Sequence, residues 1–298
     1  MAKRGPLLVL ACYIMWGLLP AFWRLLGDVD SFCVLAYRIV WSVGFSAMVL
    51  ALRGGFSGVR AVLRDRGELG RLALAGVFIC INWGVYIWAV NSGHMLDASL
   101  AYYMNPILSI LLGTVFFRER LTRLQWLAVG IALTGLVITV VRYRQFPWMA
   151  LIIGGSFAVY GAVKKTVKAD ALTASLTETA VLALPALLVL LWKEGAGAGA
   201  AGALHGWQWL LLPAAGVVTT VPLLLFSTGI KRTPMTLNGI LMYVNPTLQL
   251  LLSVLYGEAF TATHAILFGF VWTGLALYLA SGFLRSKSQR EKERPPCA

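Results

Sequence analysis

Along this chain, apolar residues run in long blocks separated by short stretches in which glycine, proline and charge collect. The blocks cover 7–26, 32–52, 72–91, 98–117 and 124–141, then 148–164, 171–192, 208–230, 236–256 and 263–283. Each approaches the roughly 20 residues that a helix needs to cross a hydrocarbon core. The pattern predicts ten transmembrane helices, an all-α membrane protein with almost no chain left for a soluble domain. Because no water reaches backbone groups in lipid, such blocks must be helical.

The fourth and ninth blocks are near copies. SLAYYMNPILSILLGTVFFRERLT faces LNGILMYVNPTLQLLLSVLYGEAFT, so Tyr103, Asn105 and Pro106 align with Tyr243, Asn245 and Pro246. After a slip of one residue, Glu119, Thr122, Gly130, Thr134 and Gly135 align with Glu258, Thr261, Gly269, Thr273 and Gly274. The chain therefore divides into a five-helix unit at 1–145, a second at 146–285 and a basic cytoplasmic tail at 286–298. An odd number of crossings per unit makes the second copy enter the membrane upside down, an arrangement associated with secondary transport at a midplane site.

Composition and charge agree with this picture. Of the residues, 59% are apolar and 12% charged, against about a quarter charged in soluble domains. A net charge of +13 raises the question of nucleic acid, but the basic residues sit in clusters between apolar blocks rather than on one face. Twenty of the 25 Lys and Arg residues fall at the N-terminus, after the second, fourth, sixth and eighth blocks, or at the C-terminus. By the positive-inside bias both termini are cytoplasmic. The first block resembles a signal peptide but runs on without a small-residue cleavage site, so it is expected to remain as the first helix. KEGAGAGAAGALHG, after the seventh block, reads as a flexible outer loop by composition.

Catalytic and cofactor chemistry finds little support. Cys12, Cys33, Cys80 and Cys297 form no CxxC group, and His94, His205 and His264 are dispersed. No phosphate-binding loop or G-x-S-x-G elbow occurs. The expectation is no metal, no cofactor and no enzyme. Partners are a small-molecule substrate and membrane lipid, without nucleic acid, and the chain leaves monomer or homodimer undecided.

Candidate site residues are the polar and aromatic side chains inside the blocks. Pro106 and Pro246 each remove a backbone hydrogen bond in mid-helix and leave a carbonyl free, which serves either a packing kink or a cavity wall. Helical spacing puts Tyr102, Asn105 and Ser109 on one face, and Asn238, Asn245 and Gln249 on the matching face. Arg38 and Glu178 are intramembrane charges, aligned at a separation of 140 residues. Each either lines a pathway or acts as a structural hydrogen-bond hub, and Glu178 is also a candidate for proton exchange. Trp16, Trp83, Tyr86, Trp88, Tyr103 and Tyr243 lie deep enough to wall a pocket or simply to pack; Asn82 is their polar companion. Arg24, near a span end, reads as a snorkelling side chain. Glu119 and Glu258, each followed three residues later by Thr, read as helix-entry caps.

Two copies of a five-helix unit, each with an apolar helix ending in E-x-[LF]-T and followed by a glycine-rich helix, resemble the EamA units of the drug/metabolite transporter superfamily. Within it, AYRIVWS, INWGVYIWAVN, SLAYYMNPILSILLG and PLLLFSTGIKR resemble the RarD-type branch. The resemblance implies a bacterial-type inner-membrane carrier of a small metabolite or drug-like solute, with a central cavity between two bundles and mainly structural fifth and tenth helices. A channel or a non-transporting scaffold is the alternative, and an intramembrane enzyme a more remote one.

Overall fold

The computed structural model describes residues 4–91, 95–143, 146, 148–257 and 262–292. Glu258 and Thr261, and with them the second E-x-[LF]-T turn, lie outside the described residues, as do His94, Arg144 and Cys297. Regular structure among the described residues is helical: α1 (Arg4–Trp23), α2 (Ser31–Leu52), α3 (Ser57–Arg64), α4 (Arg66–Asn91), α5 (Met95–Phe116), α6 (Arg123–Tyr143), α7 (Trp148–Thr166), α8 (Ala171–Gly195), α9 (Leu211–Ile230), α10 (Met235–Met242), α11 (Val244–Leu255) and α12 (Ala262–Lys292). Six stretches are long and apolar enough to cross a membrane: Arg4–Leu26, Ser31–Leu52, Arg66–Tyr86, Arg123–Arg142, Ala171–Gly195 and Gly206–Ile230. Leu100–Phe116 and Ala265–Ser281 are shorter apolar helices.

Local chemistry explains where several helices start. Asp30 caps α2 by accepting from the Phe32 and Cys33 N–H groups, both at 3.1 Å, and Asp170 caps α8 through Leu172 and Thr173 at the same distance. At α6 the capping box is Thr122 with Gln125: the Gln125 Oε1 accepts from Thr122 N–H at 2.8 Å, and the Thr122 hydroxyl accepts from Gln125 N–H at 3.2 Å. Glu119 therefore does not cap its own helix. It accepts instead from the N–H groups of Met235 and Thr236, at 2.7 and 2.8 Å, and so caps α10.

Four other features go beyond or against the sequence pattern. The amphipathic α3 occupies the stretch between the second and third apolar blocks, because Val59 and Val62 form a short apolar edge against residues of α8 and α4. The glycine- and alanine-rich segment after α8 is held down, with Glu194 accepting from Ala200 and Ala201 N–H at 2.8 and 3.2 Å and with Ala200 and Leu204 buried. The basic tail begins as helix, α12 continuing to Lys292 through good helix formers. The ninth apolar block is also interrupted, since α10 and α11 meet at a turn on Tyr243. Its counterpart α5 runs unbroken through Pro106.

Packing is reciprocal between the first and second stretches of chain. α2 lies on α8 and α9, α4 on α7 and α8, α1 on α9, α10 and α11, and α7 on α4 and α5; α6 and α12 pack mainly on each other. Glycines set the closest approaches. A Cβ at Gly216 would stand 2.5 Å from the Trp41 backbone, one at Gly239 2.5 Å from the Pro106 carbonyl oxygen, and one at Gly135 2.5 Å from the Phe270 Cβ. In lipid, helix association rests on such close packing, because tails are as apolar as leucine. Large apolar residues accordingly cover the outside, among them Leu184, Leu188, Leu191 and Leu255.

Candidate functional site

Two polar bridges cross the interior. In the first, the Tyr13 hydroxyl of α1 donates to Asn238 Oδ1 of α10 at 2.7 Å, and Asn238 Nδ2 donates to the Ser109 hydroxyl of α5 at 3.0 Å. Asn238 and Ser109 are both fully buried, so this bridge is committed to holding three helices together. In the second, Gln249 Nε2 donates to Asn245 Oδ1 at 2.7 Å within α11, while the Tyr102 side chain lies beside Gln249 and Tyr86 and within electrostatic range of Arg38. The break at Tyr243 thus separates Asn238 from Asn245 and Gln249, which the spacing places on one face.

Asn105 is buried, yet its Oδ1 has no hydrogen-bond partner among the described residues; neither has the Tyr243 hydroxyl. Both Asn-Pro segments are met by a glycine of a packed helix: Gly154 of α7 approaches Asn105 N, and Gly17 of α1 approaches the Asn245 carbonyl. Asn82 donates to the Ile153 carbonyl at 2.7 Å and joins α4 to α7.

The aromatic candidates divide between two clusters. Trp16 packs with Tyr13, Phe157 and Phe226, its ring centroid 5.5 Å from that of Phe157. Tyr103 and Tyr243 pack toward α12, Tyr103 meeting Phe268 edge-on at 5.5 Å. Tyr86 and Tyr102 form an edge-to-face pair at 5.8 Å. Trp88 is 46% exposed against Trp148, so it sits at the surface rather than in the interior.

Arg38 is half-buried in α2. Its Nε donates to the Thr219 hydroxyl of α9 at 3.1 Å, and the guanidinium lies over the rings of Trp23 and Trp83, 4.5 and 4.9 Å from their centroids. No carboxylate pairs with it among the described residues. Arg24, by contrast, stacks at 3.9 Å over Tyr256 near the helix end.

Glu178 has a partner that the sequence reading missed. Lys164 Nζ stands 2.6 Å from Glu178 Oε2, and both side chains are almost wholly buried. Lys164 falls in the basic cluster at the end of α7 and passes as a topology signal; its only cue is that a short turn folds α7 back toward α8.

Around this pair, the Lys- and Arg-rich helix ends are tied together. Glu68 accepts from Lys168 and Ala169 N–H at 2.6 and 2.8 Å, and Arg71 pairs with it at 2.9 Å. Lys231 donates to the Ala169 carbonyl and Lys165 to the Thr233 carbonyl. Lys165 also stands 3.9 Å from Glu119. Burial pushes the Lys231 ammonium down, and its neighbour Lys164 adds to this. At the opposite end, Asp30 pairs with Lys193 at 3.0 Å. Burial opposes the Asp30 charge, but Lys193 and the two backbone N–H groups outweigh it and hold the carboxyl below its usual range.

The profile of the EamA-like transporter family matches residues 3–141 and again 147–280. The chain belongs to the EamA-like transporter family. It is 41% identical to the "Uncharacterized transporter YojE" of Bacillus subtilis over 94% of both chains. It is 37% identical to the "Protein RarD" of Escherichia coli, over 93% of this chain and 94% of that one. A solved structure titled "Crystal structure of protein" has a TM-score of 0.72 and 22% identity, covering 93% of this chain and 98% of its own, a likeness of fold. The chain is therefore a multi-pass membrane protein of the EamA and drug/metabolite transporter group, with RarD-named relatives.

Proposed function

We propose that the protein is a bacterial inner-membrane secondary transporter that moves a small metabolite or drug-like solute by alternating access. Ten spanning helices form two inverted units, 1–145 and 146–285, with both termini cytoplasmic. The observation that carries this reading is the exchange pattern of the packing. Advancing residue numbers by 140 takes α1 to α7, α2 to α8, α4 to α9 and α5 to α10 with α11, and near this offset α6 to α12. The contact of α1 with α9 then becomes that of α7 with α4, and the contact of α2 with α9 becomes that of α8 with α4. The pairs α2 with α8 and α6 with α12 map onto themselves. A two-fold axis produces this pattern, and five crossings per unit lay that axis in the membrane plane.

The proposed pathway runs between Arg38, Trp83, Tyr86, Tyr102, Asn105, Asn245 and Gln249. The tied Lys- and Arg-rich ends make the cytoplasmic side the closed one. Purified protein in proteoliposomes, screened with radiolabelled amino acids, peptides and amphenicols, is expected to give saturable counterflow. Asn105→Ala and Asn245→Ala should each reduce it, and parental flux from both variants rejects the polar site. Ohmic single-channel currents in place of counterflow would reject the carrier reading.

A further inference from the structure

We infer that the solute carries a carboxylate or similarly planar anionic group, and that Arg38 is the residue that receives it. This deepens the transporter reading above and rests on it.

The argument begins with charge balance. A guanidinium stays protonated, and within a membrane protein it needs either water or an opposite charge. Acidic groups on the helix packed against α2 are committed elsewhere: Glu178 of α8 to Lys164, and Glu194 of α8 to Tyr37, Ala200 and Ala201. Asp30, at the start of α2, is committed to its own helix and to Lys193. The sequences of α2 and α9 contain no acidic residue. Glu178 occupies the repeat position equivalent to Arg38, and there the chain supplies the counter-charge itself. At Arg38 no carboxylate among the described residues does so.

The donors are also unused. Of the five N–H bonds of a guanidinium, only the one on Nε has an acceptor among the described residues, Thr219. The indoles of Trp23 and Trp83 meet the cation through their rings, which accept no N–H hydrogen bond of ordinary strength. The two terminal nitrogens thus keep the forked geometry that matches a carboxylate through two parallel bonds. Tyr102, within electrostatic range, adds a hydroxyl, and the side-chain amide of Gln249 lies beside Tyr102. Trp23 and Trp83 offer apolar surface to the body of the same solute. The geometry selects a small monoanion with an apolar or aromatic portion.

Binding to the full chain in detergent decides this, with tryptophan fluorescence and thermal shift as readouts. The probes are phenylacetate and indole-3-acetate, each against its uncharged amide. The acids are expected to bind at least about tenfold more tightly than the amides, the size of a charge-assisted bidentate contact. Arg38→Gln should abolish that preference. Arg38→Lys, which keeps the charge and loses the fork, should retain part of it. Equal binding of acid and amide, no binding of either acid, or an undiminished preference in well-folded Arg38→Gln overturns the inference. Flux of the same probes is measured in parallel. Acid binding without flux counts against the transporter reading alone, whereas saturable flux of a neutral or cationic solute that is unchanged in Arg38→Gln counts against the anion inference alone.

Discussion

Arg38 of α2 and Glu178 of α8 stand 140 residues apart on two helices that pack together, and their charges are opposite. Glu178 is sealed from solvent and neutralised at 2.6 Å by Lys164. Arg38 is only partly buried by comparison, leaning on two indoles and one hydroxyl. The surroundings differ too: around Glu178 the helix termini are cross-tied by Glu68, Glu119, Lys165 and Lys231, whereas the opposite end is tied by Asp30 with Lys193 and by Glu194 with Tyr37, and Arg38 takes no part in an ion pair among the described residues. One of the two equivalent positions is thus sealed by a counter-charge of the chain and the other is not. Fold symmetry does not carry over to side-chain chemistry.

The largest way to break this contrast is Glu178→Gln. It leaves a buried ammonium without a counter-charge and should cost about 3–5 kcal/mol in unfolding measurements in detergent. Arg38→Gln should leave stability nearly unchanged, and replacing the pair together, Lys164→Met with Glu178→Leu, should recover most of the loss. Equal destabilisation by Glu178→Gln and Arg38→Gln would erase the distinction. Next comes Glu119→Gln, which weakens the cap on α10 and should cost about 1–2 kcal/mol. It should also raise the thiol-labelling rate of a Thr233→Cys reporter at the tied end.

A smaller effect sharpens the comparison of the polar bridges. Asn238→Ala removes the partner of both Tyr13 and Ser109 and should cost about 1 kcal/mol. Asn105→Ala removes a side chain whose oxygen has no partner among the described residues and should cost less while still lowering flux.

The smallest effect separates the two helix caps by pH. Asp30 and Asp170 both ionise more readily folded than unfolded, for in each the N–H and cationic or hydroxyl partners outweigh burial. Their stabilisation is complete above the unfolded value near 4 and is lost as pH falls through the lower folded value. Acid unfolding should therefore steepen below about pH 4, by a few tenths of a kcal/mol for exposed pairs. Lys193→Met should blunt the Asp30 contribution and leave that of Asp170 intact, as followed by acid titration of unfolding.

Helices were legible wherever a block was apolar throughout, because lipid permits little else. α3 escaped because it is short and amphipathic. The turn at Tyr243 was not legible because Asn-Pro occurs in both copies, and Gly239, which lets α10 press on the Pro106 carbonyl, has Ser99 as its counterpart. Arg38 and Glu178 stood out as rare charges in apolar surroundings. Lys164 did not, since a lysine at a span end looks like every other orientation signal. The target of Glu119 lies 116 residues away, beyond any local pattern.

The pairing of α6 with α12 has a consequence for assembly. These helices close the two stretches that match the family profile, and they pack mainly on each other. The chain thus carries what would be a subunit interface had the stretches been separate polypeptides. Cut between 145 and 146 and co-expressed as fragments, the protein should reassemble through this seam, making the covalent link between its halves a convenience of stoichiometry rather than a condition of folding.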